Sequence, residues 1–427
     1  MRVLILGGNG FIGSAVARRL AGLGHEVTGL GRDVGAAARR LAGVGWLRAD
    51  IAELAEPEAW GRLLAGQDAV VNCAGALQDG LRDDVAAVQD VAMRALYRAA
   101  AGLPVRLVVQ ISARTDGGAA GNPFFASKRS ADAALKASGI DHVILRPAIV
   151  VDRNAYGGTA LLRALAAMPA VTPLVHGNAP MQFVALDDVA DCVADALAGR
   201  IAAGSDLDLA APETLSLADA VAIHRQWLGL PPAPAVAVPG WLARLVAAGA
   251  DLLGRLGWRS PMRSTALAVA AGGVTGHQNV PARPLGTLGQ TLAAAPAGAQ
   301  DLWFARLYLL KPLIFGMLAA FWIASGLVAL VRFDASAGLL EAAGAPSGLA
   351  AMLAAVTSIA DIVLGVAVLF RRHAARALAG MIMLSSLYLV AATLFAPALW
   401  LDPLGPLVKV VPSVVLALAA LAILDER

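Results

Sequence analysis

The stretch RVLILGGNGFIGSAVARRLAGLGHEVTGLGR, residues 2–32, decides the fold of the N-terminal part of the chain. Arg2 to Leu6 is a compact apolar run, fit for a strand buried on both faces. Gly7, Gly10 and Gly13 follow, then Ser14 to Leu23 with helical periodicity. Gly24 stops the helix, and Glu26 to Leu30 reads as a second strand. Strand, glycine turn, helix and strand within about thirty residues form the unit that binds dinucleotides. The glycines let backbone approach a pyrophosphate. The helix N-terminus then offers it free N–H groups and the positive end of its dipole.

The residue after the second strand selects the cofactor. An acid there would take the ribose 2′-hydroxyl of NAD, and an arginine can pair with the 2′-phosphate of NADP. The chain reads Gly31-Arg32-Asp33. Arg32 favours NADP(H), and Asp33 keeps NAD(H) possible. A solvated loop charge is the plain alternative for Arg32.

Four more strands are expected. WLRAD (46–50) ends in Asp50, placed to meet an adenine edge. DAVVNCAG (68–75) ends in Asn72-Cys73-Ala74-Gly75, small residues suited to line a cofactor. VRLVVQIS (105–112) ends at Ser112, and DHVILRPAIV (141–150) follows. Helical stretches separate them. The alternation predicts an open, doubly wound parallel sheet with helices on both faces, whose ligands bind at the carboxyl ends of strands.

These segments together resemble the short-chain dehydrogenase/reductases. GGNGFIG, NCAG, a serine at the end of the next strand, the lysine of FFASK, LRPAIV and FVALDDVAD occur in that family's order, over about residues 1–230. The likeness is greatest to the extended, epimerase/dehydratase-like, and atypical branches. Within these it points to the group of the nucleotide-binding accessory subunit of respiratory complex I and its bacterial relatives. The resemblance implies a Rossmann domain with bound NADP(H), and it puts turnover in question. The implied cofactor contacts are Gly7, Gly10, Phe11, Ile12, Gly13, Arg32, Asp50, Asn72, Ala74, Gly75, Ser112 and Lys128. The implied chemistry is hydride transfer. A tyrosine acts as acid, a lysine lowers its pKa and holds the ribose, and a serine orients the substrate oxygen.

NPFFASKRSAD (122–132) departs from that pattern. Lys128 matches the lysine, but Phe124 stands four residues earlier, where the tyrosine belongs. An alkoxide formed at neutral pH needs a proton donor within hydrogen-bond reach, and Phe124 has no hydroxyl. Ser112 matches only approximately, because the family's hydroxyl is often one residue later, where Ala113 stands. Lys128 and Ser112 are therefore the candidate catalytic residues. The plain alternative for Lys128 is an exposed helix lysine paired with Asp132. Tyr156, the next tyrosine, lies in a loop from which it could reach the cleft.

Composition divides the chain. It has 427 residues, of which 58% are hydrophobic and 15% charged, with a mean hydropathy of +0.67. The apolar excess lies in the last 120 or so residues. LIFGMLAAFWIASGLVALV (313–331) carries no charge, and nineteen residues of helix reach roughly the 30 Å of bilayer hydrocarbon. Further spans are expected at about 349–370, 377–400 and 405–424. RRHAAR between the second and third predicts a cytoplasmic loop. The N-terminal domain and the terminal LDER then also lie on the cytoplasmic side of an inner membrane. The region resembles the DoxX-like four-helix membrane family, most clearly in LWLDPLGPLVKVVP (399–412). The expected domains are thus a nucleotide-binding domain (1–200), a substrate lobe or linker (201–300) and a membrane bundle (301–427).

Within the lobe, GLPPAPAVAVPGW (229–241) reads as an extended segment. Residues 239–261 read as a helix able to lie at a bilayer interface or to pack on the nucleotide domain. His224 reads as structural. Asp361 lies inside a span, where an ionised group is costly. It calls for a partner, with Lys409 nearest in depth, and either a structural bond or proton or quinone handling would account for it.

The net charge of +3 gives no reason to expect nucleic acid. Cys73 and Cys192 form no ligand cluster, and HExxH, paired-cysteine and Gly-x-Ser-x-Gly patterns are missing from the sequence. No metal site or serine hydrolase is therefore expected. Three functions remain open. The first is a membrane-tethered reductase of an apolar quinone, lipid or isoprenoid. The second is an NADP(H)-holding or redox-sensing module of a membrane complex. The third is a DoxX-like bundle that the nucleotide domain regulates.

Overall fold

The computed structural model describes residues 1–75, 79–80, 84–114, 121–258, 260–276, 280–403 and 405–425. The chain forms two compact units, Met1–Asp251 with Ser260–Ala305, and Leu252–Arg259 with Arg306–Arg427.

The first unit is built on a seven-stranded sheet. Strands β1 (Arg2–Leu6), β2 (Glu26–Gly31), β3 (Gly45–Arg48), β4 (Ala69–Asn72), β5 (Leu107–Ile111) and β6 (His142–Pro147) are joined at one edge by Asp206–Leu209. The order is β3-β2-β1-β4-β5-β6-(206–209), and all neighbours are parallel. The direction of winding reverses between β1 and β4. A ligand crevice forms at such a switch point.

The alternation of β1 explains why it reads as continuously apolar. Val3 and Ile5 pack with Val16, Leu20, Val189 and Val193 on one face. Leu4 and Leu6 pack with Trp60, Met93 and Leu96 on the other. Both faces of the strand are covered by helices, so neither tolerates a polar residue.

The expected strand over 141–150 is two strands. Pro147 closes β6, the chain leaves the sheet, and Ile149–Val151 pairs with Phe183–Ala185 instead. In the lobe, Ala235–Ala237 of the extended segment pairs with Thr172–Leu174. The following helix runs Gly240–Arg255, shorter than the expected 239–261, and Gly257 just beyond it has φ +93°. His224 is fully buried and its Nδ1 meets the carbonyl of Ala220 at 2.8 Å. Burial pulls its pKa down to about 4, so it is a neutral core residue at physiological pH.

The second unit is helical. Among the described residues, three helices, Ala299–Val331, Ser347–Ala367 and Ala374–Phe395, are long and apolar enough to cross a membrane. The first begins fourteen residues ahead of the expected 313, because Asp301 accepts from the Gly298 N–H at 2.7 Å and caps it there. The third ends before the expected 400, and Pro397–Trp400 forms a 3₁₀ turn. The fourth expected span is a 17-residue apolar helix, Pro406–Ala422. At 1.5 Å per residue it reaches roughly 26 Å, short of the hydrocarbon thickness.

Asp361 does not pair with Lys409 among the described residues. It accepts from the Ser325 hydroxyl at 3.0 Å and from the Tyr388 hydroxyl at 3.0 Å. Three helices thus share one polar contact, which answers the demand that a buried intramembrane acid be partnered.

Candidate nucleotide site

The site begins with the turn after β1. Gly7 has φ +66°, where a side chain would be strained and where a Cβ would lie 3.0 Å from the Cα of Ala74. The Gly10 N–H donates to the Gly7 carbonyl at 2.9 Å and closes the turn. A Cβ on Gly13 would stand 2.2 Å from the Gly7 oxygen, so only glycine lets the helix sit this close. That helix starts at Phe11 with Gly10 as its cap and has no capping side chain. The first intrahelical bond at this end is Ser14 N–H to Gly10 at 3.0 Å. The N–H groups of Phe11, Ile12 and Gly13 thus keep their donors for a ligand at the positive helix end. A cradle that Cβ atoms would fill, next to an uncapped helix terminus, fits the pyrophosphate of a dinucleotide.

The other wall is the turn after β4. Asn72 is buried, and its carbonyl oxygen accepts from the Ala74 N–H at 3.0 Å. Its amide donates to Gln110 Oε1 at 2.8 Å, and the Tyr97 hydroxyl donates to the same oxygen at 3.0 Å. Asn72 therefore shapes the Cys73–Gly75 turn from beneath. The Cys73 thiol is pushed up to about 12 by burial, with Lys128 opposing, so it is protonated at neutral pH.

Lys128 comes from the helix Pro123–Ala137, whose Asn122 cap accepts from the Phe124 N–H at 2.9 Å. The lysine is only 5% exposed and donates to the Ile111 carbonyl at 3.0 Å. A Cβ on Gly75 would lie 3.6 Å from its Nζ, so the amine faces the β4 turn. The alternative of an exposed lysine paired with Asp132 is thereby overturned. Asp132 instead accepts from the Ser112 hydroxyl at 2.6 Å and pairs with Arg146 at 2.9 Å. Burial lowers the Lys128 pKa to about 8, with the Asp132 charge working against it.

The Ser112 hydroxyl, itself buried, is held by a network that runs from buried Asp132 out to the surface. Arg146 joins Asp132 to Asp206, meeting the latter through two nitrogens at 2.6 and 2.9 Å, and Lys136 reaches Asp206 at 2.7 Å. The sequence signal for this network was Arg146, a charge inside an apolar strand, next to Pro147.

Phe124 is half-buried and lies one helical turn before Lys128, with Phe125 edge-on at 5.0 Å. Tyr156 stacks on Phe11, with centroids 5.4 Å apart. Its loop is fixed by Arg163, whose guanidinium donates to the carbonyls of Asp152 and Arg153 and lies 4.5 Å over the Trp227 ring.

Arg32 is exposed and directly follows β2. Beside it, the Asn9 amide donates to the Asp33 carbonyl at 3.0 Å and ties the glycine turn to this loop. Asp50 accepts from the Ala52 N–H at 3.2 Å and caps the short turn Ile51–Glu53 after β3. Gly7, Gly10, Gly13, Ala74, Gly75 and Lys128 are thus brought to one switch point. Asn72 and Ser112 lie beneath it, and Arg32 and Asp50 at the ends of the outer strands. Among the described residues there is no group of three or more metal-ligating side chains.

A family model described as NAD(P)H-binding matches residues 7–199, and one described as the DoxX-like family matches residues 319–418. No curated protein matches the chain in sequence. Among solved structures, the Bordetella bronchiseptica enzyme WbmH in complex with NAD+ is similar, at 17% identity and a TM-score of 0.52. The match covers 72% of this chain and 98% of that one. A UDP-glucuronic acid 4-epimerase from Bacillus cereus, in complex with UDP-glucuronic acid and NAD, matches at 18% identity and a TM-score of 0.50. It covers 72% of this chain and 100% of that one. At such identities these structures speak for the fold alone. The chain thus joins an N-terminal Rossmann-type domain that matches an NAD(P)H-binding family model to a C-terminal region of apolar helices that matches a DoxX-like one.

Proposed function

We propose that this chain is a membrane-anchored NAD(P)H-dependent oxidoreductase whose substrate is apolar, a quinone, lipid or isoprenoid. The observation that carries the reading is Lys128. Its amine is buried against the Gly75 turn at the switch point, in a chain that also carries helices able to cross a membrane.

A bound nicotinamide cofactor supplies hydride. The glycine turn and the Phe11–Gly22 helix end hold its pyrophosphate. Lys128, charged below about pH 8, holds the nicotinamide ribose. Arg32 takes a 2′-phosphate, which makes NADP(H) the preferred form. Asp50 meets the adenine end. Ser112 positions the β5 end through Asp132. Phe124 gives the reacting end an apolar wall and no proton. A delocalised acceptor such as a quinone tolerates that, because solvent can supply its protons.

A second reading is favoured by the same phenylalanine. Without a donor at position 124, the domain would hold NADP(H) for structure or redox sensing and partner a membrane complex. Purifying the full chain in mild detergent and identifying its co-purifying nucleotide and lipids by mass spectrometry tests both readings. NADP(H) with a quinone or isoprenoid supports the oxidoreductase. NADP(H) retained together with a stoichiometric protein partner supports the module. A protein that neither retains nor binds a nicotinamide nucleotide refutes both.

A further inference from the structure

The helix Gly240–Arg255 is inverted for a soluble protein. Its buried positions are Ala243, Ala247, Ala250 and Gly254, all small. Its large apolar residues point outward: Trp241 is 59% exposed, Leu245 62% and Leu252 59%, with Leu242 and Val246 beside them. At 3.6 residues per turn these five fill one continuous arc of roughly 140°. The small residues fill the opposite side, and Arg244, Asp251 and Arg255 share a narrow strip along one edge. Asp251 is engaged by Arg263 at 3.0 Å, which leaves the two exposed arginines to set the sign of that edge.

An apolar face this wide calls for a cover. We propose that it is covered by lipid: Gly240–Arg255 lies in the plane of the membrane, with the Trp241, Leu245 and Leu252 face in the interfacial layer of an anionic bilayer. Two observations select lipid as the occupant. The cationic edge complements anionic headgroups, and a tryptophan at the helix end is the side chain that favours the headgroup level. The same chain also carries three helices able to cross a bilayer, so lipid is a partner it already has. The inference rests on the membrane reading of the C-terminal helices.

The test uses the full chain reconstituted in phosphatidylcholine vesicles containing phosphatidylglycerol. A spin label is placed at Leu245→Cys and, separately, at Leu252→Cys. The labelled unmodified protein is the background for Cys73 and Cys192, which are half-buried and buried. Flotation first establishes insertion, and failure to float would remove the membrane reading itself. In floated protein, both labels should collide more with oxygen than with a water-soluble nickel complex, and an Arg62→Cys label should show the reverse. Nickel collisions dominating at 245 and 252 would overturn the inference. So would shielding from both reagents, which would mean that protein and not lipid covers the face.

Discussion

The Tyr156 ring lies parallel over Phe11, with planes 10° apart and centroids separated by 5.4 Å. Phe11 is the first residue of the helix that ends the glycine turn, so the stack stands at the edge of the pyrophosphate cradle. The stack puts Tyr156 beside the glycine turn. The account therefore gives the ring a packing role. Tyr156→Phe should leave cofactor affinity and turnover unchanged. Tyr156→Ala should lower the stability of the domain, with about 0.5–1.5 kcal/mol of the loss coming from the aromatic pair itself, as read by denaturant unfolding. A large loss of turnover in Tyr156→Phe, measured by NADPH oxidation, would make the phenol the missing acid.

Arg32 directly follows β2, next to a loop held by Asn9. Titration of the unmodified protein should show tighter binding of NADPH than of NADH. Arg32→Ala should narrow the gap by about 1.5–3 kcal/mol, the range for a hydrogen bond to a charged group. Equal affinities in the unmodified protein would contradict the assignment of Arg32 to a 2′-phosphate.

Burial lowers Lys128 from an ordinary 10.5 to about 8. Between those values the unfolded chain holds a proton that the folded one has released, so this residue makes stability rise with pH across that window. Binding has the opposite slope. The charged amine attracts a nucleotide, and it becomes neutral as pH passes upward through about 8. NADPH affinity should therefore fall above that pH in the unmodified protein. In Lys128→Met it should be weaker throughout and lack the step. Affinity in the variant with an unchanged pH profile would remove the lysine from the site.

The arginines between the second and third long helices make a cytoplasmic nucleotide domain the expected topology, and two reporters test it. A reporter fused beyond the last residue should behave as cytoplasmic, and one inserted near Ala343 as extracytoplasmic. This arrangement requires the short Pro406–Ala422 helix to cross. An extracytoplasmic C-terminal reporter would show that it does not.

The sheet was legible because β1 is buried on both faces and because the glycines that follow it have no substitute. Val3, Leu4, Ile5 and Leu6 all had to be apolar, and Gly13 had to lie against Gly7. Lys128 was legible by its spacing, and its burial removes the alternative of an exposed lysine. The partner of Asp132 was not legible: the i,i+4 lysine is the local candidate, but Arg146, distant in sequence, claims it. The same holds in the bundle. Asp361 announced the need for a partner, yet Ser325 and Tyr388 come from other helices, and hydropathy alone carries no register between helices. The expected 141–150 strand failed at Pro147, where a missing N–H lets the chain leave the sheet.

Phe124 and Lys128 lie one turn apart on one helix, and the central claim is that this pair binds a reduced nicotinamide without donating a proton. The most direct measurement is NADPH oxidation by the full chain in lipid nanodiscs, with quinones and simple ketones as acceptors. The account expects quinone reduction, and ketone reduction that is absent or slower by about 10²–10⁴-fold, the usual worth of a general acid. Phe124→Tyr should keep nucleotide affinity and raise the ketone rate. Rapid ketone turnover by the unmodified protein, or no oxidation of bound NADPH by any acceptor, would contradict it.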